Sequence, residues 1–313
     1  MILRVGRGAP AEIAAKGTGG PEAAARGPLA VVAGGGGIPA ELVADVRATG
    51  RPVVLIGIRG EGEPSLLDPL GADWVDWGQV GRLFELIERG GCKEVILIGS
   101  ISKRPDFRSI VGDLGTLRRL PRILAALVGG DDSVLTRVIR IFEQEDLTVV
   151  GVPDVAPVLL AGAGTLGRQA PSADAMTAIA TAAGVIEALS PHDVGQAAVA
   201  LFRRTVAIEG AEGTDGMLER VAALRASGRI AGYEKASALV KRMKTRQDTR
   251  ADLPTIGPAT VERAAAAGLA GIAIESGHVI VAARAKTIAA ADAAGLFLYG
   301  FSPADLAQAA TRS

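Results

Sequence analysis

Short apolar runs recur through the first half of the chain, separated by loops and helical stretches. These runs occupy residues 28–33, 52–58, 94–99 and 147–152. Helical patterns occur at 40–49, 83–89 and 133–145. Strands that are apolar on both faces and alternate with helices are typical of parallel βαβ units. The pattern therefore predicts an α/β domain built on a parallel sheet, which binds ligands beyond the carboxyl ends of its strands.

A different pattern begins after residues 161–172, which have the composition of a linker. Here the predicted order is a helix at 173–189, a hairpin at 197–200 and 205–209, a helix at 213–226 and a strand at 238–243. After residue 258 it continues with a helix, a strand pair around Gly277-His278, a second helix and a strand at 296–300. The C-terminal region is therefore predicted to be mixed α+β. The predicted divisions are a disordered extension at 1–27, an N-terminal domain at 28–164 and a C-terminal catalytic domain at 165–313.

Composition excludes several classes of function. The 313 residues carry 34 basic and 34 acidic side chains, so there is no overall positive charge to attract nucleic acid. Aromatic residues make up 3 % of the chain, which disfavours base-stacking surfaces. The single cysteine, Cys92, excludes a disulfide framework and a cysteine-based zinc site. The chain carries only two histidines, so a histidine-rich metal centre is not expected.

A glycine run joins the first predicted strand to the first helix. Six consecutive residues form a candidate anion site: Gly34, Gly35, Gly36, Gly37, Ile38 and Pro39. Glycine amides approach phosphate closely, and a helix N-terminus favours anions. The dinucleotide fingerprint is absent, because its third glycine would fall at Pro39. A tight strand–helix turn is the alternative explanation of the glycines.

The third predicted strand ends in a second polar segment. It offers hydroxyl groups and cations that could neutralise a diphosphate, namely Ser100, Ser102, Lys103 and Arg104. If the sheet is doubly wound, this segment faces the same crevice as the glycine run. An ordinary solvated loop explains the same residues equally well.

The densest polar cluster lies at 241–255, between a predicted strand and the turn at 253–257. It mixes cations with the carboxylates Asp248 and Asp252. Metal-assisted phosphoryl chemistry uses both, because carboxylates hold Mg²⁺ or Mn²⁺ while Lys and Arg balance phosphate charge. A solvated charge run is the alternative. A second acidic cluster at 209–216 contains Thr214 and Asp215, which either cap the following helix or join the carboxylate set.

Taken together, five segments resemble one family. They are 33–39 (AGGGGIP), 99–105 (GSISKRP), 193–196 (DVGQ), 212–215 (EGTD) and 241–257 (KRMKTRQDTRADLPTIG). In this order they resemble the LpxI-type UDP-2,3-diacylglucosamine pyrophosphatases of lipid A biosynthesis. The last segment is long and specific, whereas the glycine run alone identifies nothing.

The resemblance implies a Rossmann-like N-terminal domain and a C-terminal domain peculiar to the family. It implies hydrolysis of the substrate's pyrophosphate to UMP and 2,3-diacylglucosamine 1-phosphate (lipid X), with Mg²⁺ assisting water that attacks the α-phosphorus. Asp248 is then the expected essential carboxylate, with Asp215 and Asp252 as further metal ligands. The other expected catalytic residues are Lys241, Lys244, Gln247, Arg250 and Asp252, and Thr214 and Thr255 join the glycine run and the serine segment in substrate binding.

The same resemblance sets expectations for the protein's surroundings. Two acyl chains need an apolar cleft, and a lipid substrate implies peripheral contact with the cytoplasmic face of the inner membrane of a Gram-negative bacterium. A symmetric homodimer is expected on frequency alone. A sugar-nucleotide transferase and a non-catalytic nucleotide- or lipid-binding protein remain the alternative functions.

Overall fold

The structure is a computed structural model that describes residues 26–102, 116, 134–244, 248–250 and 252–311. The predicted extension at 1–27 falls outside these residues except for its last two positions. Arg26 donates hydrogen bonds to both carboxylate oxygens of Glu94, and Gly27 accepts one from the buried Arg51. Residues 26 and 27 are therefore tied to the N-terminal domain by hydrogen bonds.

The N-terminal sheet is parallel, as predicted. Its strands are β1 (Leu29–Ala33), β2 (Val53–Ile58), β3 (Asp73–Val75), β4 (Glu94–Ile98) and β5 (Thr148–Val149). They lie in the order β3-β2-β1-β4-β5, which is the order of a Rossmann-like sheet. The direction of winding reverses between β1 and β4, where such folds bind ligands. The apolar pattern did not predict β3, because Val75 is its only fully buried residue.

Helices cover both faces of this sheet. They are α1 (Ile38–Ala48), α2 (Pro64–Leu67), α3 (Val80–Arg89), α4 (Val134–Glu143) and α5 (Val152–Val155). Alternate residues of β1 enter opposite cores: Val31 packs with Leu42 of α1, whereas Ala30 packs with Phe84 of α3 and Phe142 of α4. This two-sided burial explains why the strands are continuously apolar.

The C-terminal region forms a mixed sheet of six strands. They are β6 (Gly164–Thr165), β7 (Ala197–Leu201), β8 (Arg204–Ile208), β9 (Ser237–Lys241), β11 (Gly271–Glu275) and β13 (Phe297–Phe301). Their order is β6-β13-β11-β9-β7-β8. Strands β7 and β8 form the predicted antiparallel hairpin, while β9 is parallel to β11. The α+β prediction is therefore confirmed.

Two short strands stand apart from that sheet. They are β10 (Thr255–Ile256) and β12 (Ile280–Val281), which pair in parallel with each other. The sequence predicted a strand pair around Gly277-His278, but β11 and β12 on its two sides belong to different sheets. This part of the prediction is wrong, because each strand finds its partner far along the chain.

Helices pack on the mixed sheet. They are α6 (Ala173–Leu189), α7 (Gly213–Ala226), α8 (Pro258–Ala266), α9 (Arg284–Ala293) and α10 (Pro303–Thr311). By length and composition alone, the stretch Ala173–His192 could cross a membrane. In the fold, Ala178, Ile179 and Ala182 of this helix pack against apolar residues of β7 and β9, as in the core helix of a globular domain.

The segment that joins the domains is tied to the C-terminal sheet. Ala161 donates a hydrogen bond to the carbonyl of Val279 at 2.8 Å, and β6 pairs antiparallel with β13. The approach is so close that a Cβ on Gly300 would lie 1.7 Å from the carbonyl oxygen of Gly162. The predicted boundary between 164 and 165 thus cuts through β6, and a division near 160 leaves the strand whole.

Candidate active site

The glycine run lies at the switch point of the N-terminal sheet, against the end of β4. Gly35 donates a hydrogen bond to the carbonyl of Ser100 at 2.8 Å and accepts one from the Ser100 amide at 3.0 Å, while Gly34 donates to Ile98. A Cβ on Gly34 would lie 2.4 Å from the Ser100 carbonyl oxygen. Close approach of two chain segments therefore accounts for these first two glycines. Their amides bind backbone and are not free to hold phosphate, contrary to the simplest expectation.

Carboxylates lie beside the remaining glycines. Glu63 accepts a hydrogen bond from the amide of Gly36 at 3.3 Å. Glu61 accepts bonds from both the amide and the hydroxyl of Ser102, at 2.7 and 2.9 Å. The predicted cations at 103 and 104 lie outside the described residues. An anion at this strand end would thus meet two acids that the sequence analysis did not consider.

The first turn of α1, with Ile38 and Pro39, connects the two domains. Glu41 in that turn accepts hydrogen bonds at both carboxylate oxygens from the amide of Ala283, each at 3.0 Å. Ala283 precedes α9, so one carboxylate lies at the N-termini of two helices, which both favour negative charge. The glycine turn is thereby held next to the C-terminal domain.

A buried lysine organises the second part of the site. Lys241, at the end of β9, is 7 % exposed, and its Nζ donates to Thr214 Oγ1 at 2.9 Å and to the carbonyl oxygen of Thr255 at 3.0 Å. Thr214 in turn donates to Glu209 Oε1 at 2.6 Å. The structure therefore brings together three predicted residues from two motifs, and adds Glu209.

Burial lowers the pKa of Lys241, and the negative charges of Glu209 and Asp215 counter that effect in part. Glu209 is itself 8 % exposed and also accepts a hydrogen bond from the amide of Gln196 at 2.8 Å. A buried cation and a buried carboxylate thus share one hydroxyl, which compensates part of their desolvation.

Asp248 is held by Arg250 in a fork. Arg250 Nε donates to Asp248 Oδ1 at 2.9 Å and Nη2 donates to Oδ2 at 2.7 Å, while the Arg250 amide also donates to Oδ1 at 3.0 Å. The side-chain hydrogen bond from Arg250 lowers the pKa of Asp248, although burial opposes it. The same bond raises the pKa of Arg250. The predicted essential carboxylate is therefore ionised at neutral pH.

The N-terminal domain contacts this loop directly. Nη1 of Arg250 donates to Glu143 Oε1 at 2.7 Å. A Cβ on Gly151 would lie 2.8 Å from the carbonyl oxygen of Thr249 and 3.1 Å from the Cα of Arg250. Both domains therefore shape the loop that carries Asp248.

The remaining predicted residues are dispersed. Lys244 Nζ donates to Asp193 at 2.6 Å. The side chain of Asp252 is exposed, and its amide donates to the Asp248 carbonyl at 3.1 Å. Asp215 pairs with Arg263 at 3.4 Å. Gln247 lies outside the described residues.

The predicted metal set of Asp215, Asp248 and Asp252 is not assembled. Among the residues that the structure describes, no group of three or more His, Cys, Asp or Glu side chains could hold a metal ion. Asp248 accepts four hydrogen bonds from Arg250, two at each carboxylate oxygen, and the longest of them, from Nε to Oδ2 at 3.2 Å, is the one that a cation could displace. The donor set does not fit a site of three carboxylates, but it fits one carboxylate that shares a cation with substrate phosphates.

The fold and the site define a two-domain α/β protein whose candidate site combines a carboxylate paired with arginine and a buried lysine. A family model described as the LpxI N-terminal domain matches residues 28–159, and one described as the LpxI C-terminal domain matches residues 162–299. The chain belongs to the LpxI family, as its motifs indicated. The UDP-2,3-diacylglucosamine pyrophosphatase LpxI of Caulobacter vibrioides is 40 % identical over 275 residues, which cover 88 % of this chain and 98 % of that protein.

Sequence reasoning missed Glu143 and the role of Glu209. Glu209 lies at the edge of the acidic cluster, so its position after a strand was a usable signal. Glu143 ends an amphipathic helix and is 107 residues from Arg250, and no local pattern marks it.

Proposed function

We propose that the protein hydrolyses the pyrophosphate bond of UDP-2,3-diacylglucosamine to UMP and lipid X in lipid A biosynthesis. The observation that carries this proposal is the 40 % identity to the Caulobacter vibrioides pyrophosphatase over nearly its whole length. The ionised Asp248, the Arg250 fork and the buried Lys241 suit an anionic anhydride, because cations stabilise charge that develops on phosphate oxygens.

Asp248 is proposed to orient the attacking water or to hold a cation. A carboxylate whose pKa is held low is a weak base, so removal of a proton is the less suitable role. Lys241 uses two of its three N–H donors on described residues, which leaves one for a phosphate oxygen. Lys244, Gln247 and Asp252 are proposed to complete the catalytic loop.

Mg²⁺, or Mn²⁺ in its place, is proposed as the cofactor. Mg²⁺ is usually held by one or two carboxylates together with substrate phosphates, so Asp248 with the pyrophosphate is a sufficient donor set. The ion would neutralise phosphate charge. Asp215 pairs with Arg263 and is the weaker candidate ligand.

Substrate contacts are proposed at the last two residues of the glycine run, Gly36 and Gly37, and at Ser100, Ser102, Thr214 and Thr255. The sugar-linked acyl chains are proposed to bind in an apolar cleft. The protein is proposed to be peripheral to the inner membrane on its cytoplasmic side. It is also proposed to form a homodimer. Extraction of lipid from the purified protein, followed by mass spectrometry, tests for a bound acyl-sugar.

Release of UMP from UDP-2,3-diacylglucosamine tests the activity. Asp248→Ala should lower turnover by about a hundredfold or more, in the range seen when one electrostatic group is removed from an active site. Asp174→Ala, which changes an exposed carboxylate on α6, is the matched control and should retain wild-type turnover. Near-normal release by Asp248→Ala at saturating Mg²⁺ contradicts the assigned role.

Product analysis separates the alternatives. A sugar transferase leaves UDP rather than UMP, and a binding protein shows no turnover with any metal. Hydrolysis in H₂¹⁸O tests the prediction that water attacks the α-phosphorus. Label in UMP supports attack at the α-phosphorus, whereas label in the sugar phosphate places the attack at the β-phosphorus.

A further inference from the structure

Glu143 is a carboxylate of the N-terminal domain that contacts the loop carrying Asp248. It is the last residue of α4, and it accepts the hydrogen bond from Arg250 Nη1 at 2.7 Å. The side chains of Glu143 and Arg250 are 45 % and 35 % exposed. An ion pair this exposed to water contributes little to the free energy of folding. We therefore consider what the pair does to the orientation of the Arg250 side chain.

The guanidinium of Arg250 binds two carboxylates at once. Nε and Nη2 of Arg250 face Asp248, and Nη1 faces Glu143. A guanidinium is planar and rigid, so fixing one nitrogen fixes the direction of the others. Glu143 therefore determines where Arg250 holds the Asp248 carboxylate, whereas Arg250 alone could pair with Asp248 in several orientations.

A second contact, besides the Glu143–Arg250 bond, holds the two domains in the same relative position. The backbone at Gly151, which precedes α5, packs directly on the backbone at Thr249 and Arg250. This contact limits translation of the loop toward the N-terminal sheet, and the Glu143 bond limits rotation of the fork. Two independent points from one domain thus hold one loop of the other.

We propose that Glu143 is a positioning residue of the pyrophosphatase site, which fixes Arg250 and thereby aims Asp248 at the scissile pyrophosphate. This inference rests on the proposed function, because it assigns a role within that reaction. It predicts an effect on the chemical step rather than on stability or ground-state binding.

The first test is Glu143→Gln, which keeps the shape of the side chain and removes its charge. We expect kcat to fall about threefold to tenfold, as for a partly exposed charge-assisted hydrogen bond, with KM changed less than twofold. The thermal unfolding midpoint should match the wild type. Glu88→Gln, at an exposed carboxylate on α3, is the matched control and should leave both constants unchanged.

The second test is a double-mutant cycle with Arg250→Lys. Lysine cannot bridge Asp248 and Glu143 with a rigid fork, so Glu143→Gln should cost nothing further in that background. A wild-type kcat in Glu143→Gln, or equal losses in both backgrounds, overturns the positioning role. If the wild type hydrolyses the substrate in these assays, such a result leaves the proposed function intact. If the wild type releases no UMP, both ideas fail.

Discussion

Removal of the Lys241 ammonium should destabilise the C-terminal domain while leaving the N-terminal domain folded. Lys241→Met keeps the length of a side chain that is 7 % exposed. It abolishes the bonds from Nζ to Thr214 and Thr255. It also leaves Glu209, which is 8 % exposed, as a buried negative charge without the cation at the far side of Thr214.

The magnitude follows from this chain of contacts. Removing one partner of a buried charge pair costs about 3 kcal/mol, since the other charge remains uncompensated. Lys241→Met and Glu209→Gln should therefore each lower the unfolding free energy by about 3 kcal/mol. The double variant leaves no uncompensated charge here, so its cost should be at most about 3 kcal/mol, well below the sum of about 6 kcal/mol.

Urea unfolding followed by two signals separates the domains. Trp74 and Trp77 are the only tryptophans and both lie in the N-terminal domain, so their fluorescence reports on that domain. Hydrogen exchange of β7 and β9 amides reports on the sheet that carries Lys241. Lys235→Met, at an exposed lysine, is the matched control. If the costs of Lys241→Met and Glu209→Gln add fully in the double variant, the proposed coupling between these residues is refuted. If the unfolding free energy measured by tryptophan fluorescence falls as much as that measured by hydrogen exchange, the destabilisation is not confined to the C-terminal domain.

Two further outcomes follow from the same structure. Gly300→Ala should destabilise the protein by about 3 kcal/mol, because the new Cβ meets the carbonyl of Gly162 and neither backbone can yield; a chemical denaturation curve that matches the wild type would contradict this close approach. Burial lowers the pKa of Lys241, so the folded chain releases the Lys241 proton at a lower pH than the unfolded chain does. The unfolding free energy of the wild type, relative to that of Lys241→Met, should therefore rise as the pH increases toward about 10. If urea titrations at alkaline pH show a constant difference in unfolding free energy between the two proteins, the lowered pKa is contradicted.

Local pattern predicted those parts of the fold in which each strand is fully apolar. The runs that became β1, β2 and β4 could be read directly, since both faces of a parallel strand are buried. Strand β3 has one fully buried residue and no run to detect. The false strand pair at Gly277-His278 arose because the pairing of β11 with β9 and β13 is a contact between distant segments, which local alternation does not encode.

The same distinction separates the parts of the site that were predicted from those that were missed. The 241–257 motif pointed to Lys241 and Asp248, and EGTD pointed to Thr214, because these residue types already suggest phosphate chemistry. The expected carboxylate cluster depended on distances, and in the structure Asp248 and Asp215 pair instead with Arg250 and Arg263. Charge content therefore identified a segment rich in ion pairs but not which acid pairs with which base.

The contacts around the Asp248 loop also change what the N-terminal domain can be expected to do. A domain that only held the nucleotide would need no contact with the loop of the proposed catalytic carboxylate. Here Glu143 and Gly151 contact the loop at Arg250 and Thr249, while Lys241 fixes the far end of the loop at Thr255. A shift between the domains would therefore move the Arg250 fork relative to Lys241, so the geometry of the proposed active site depends on the relative position of the two domains.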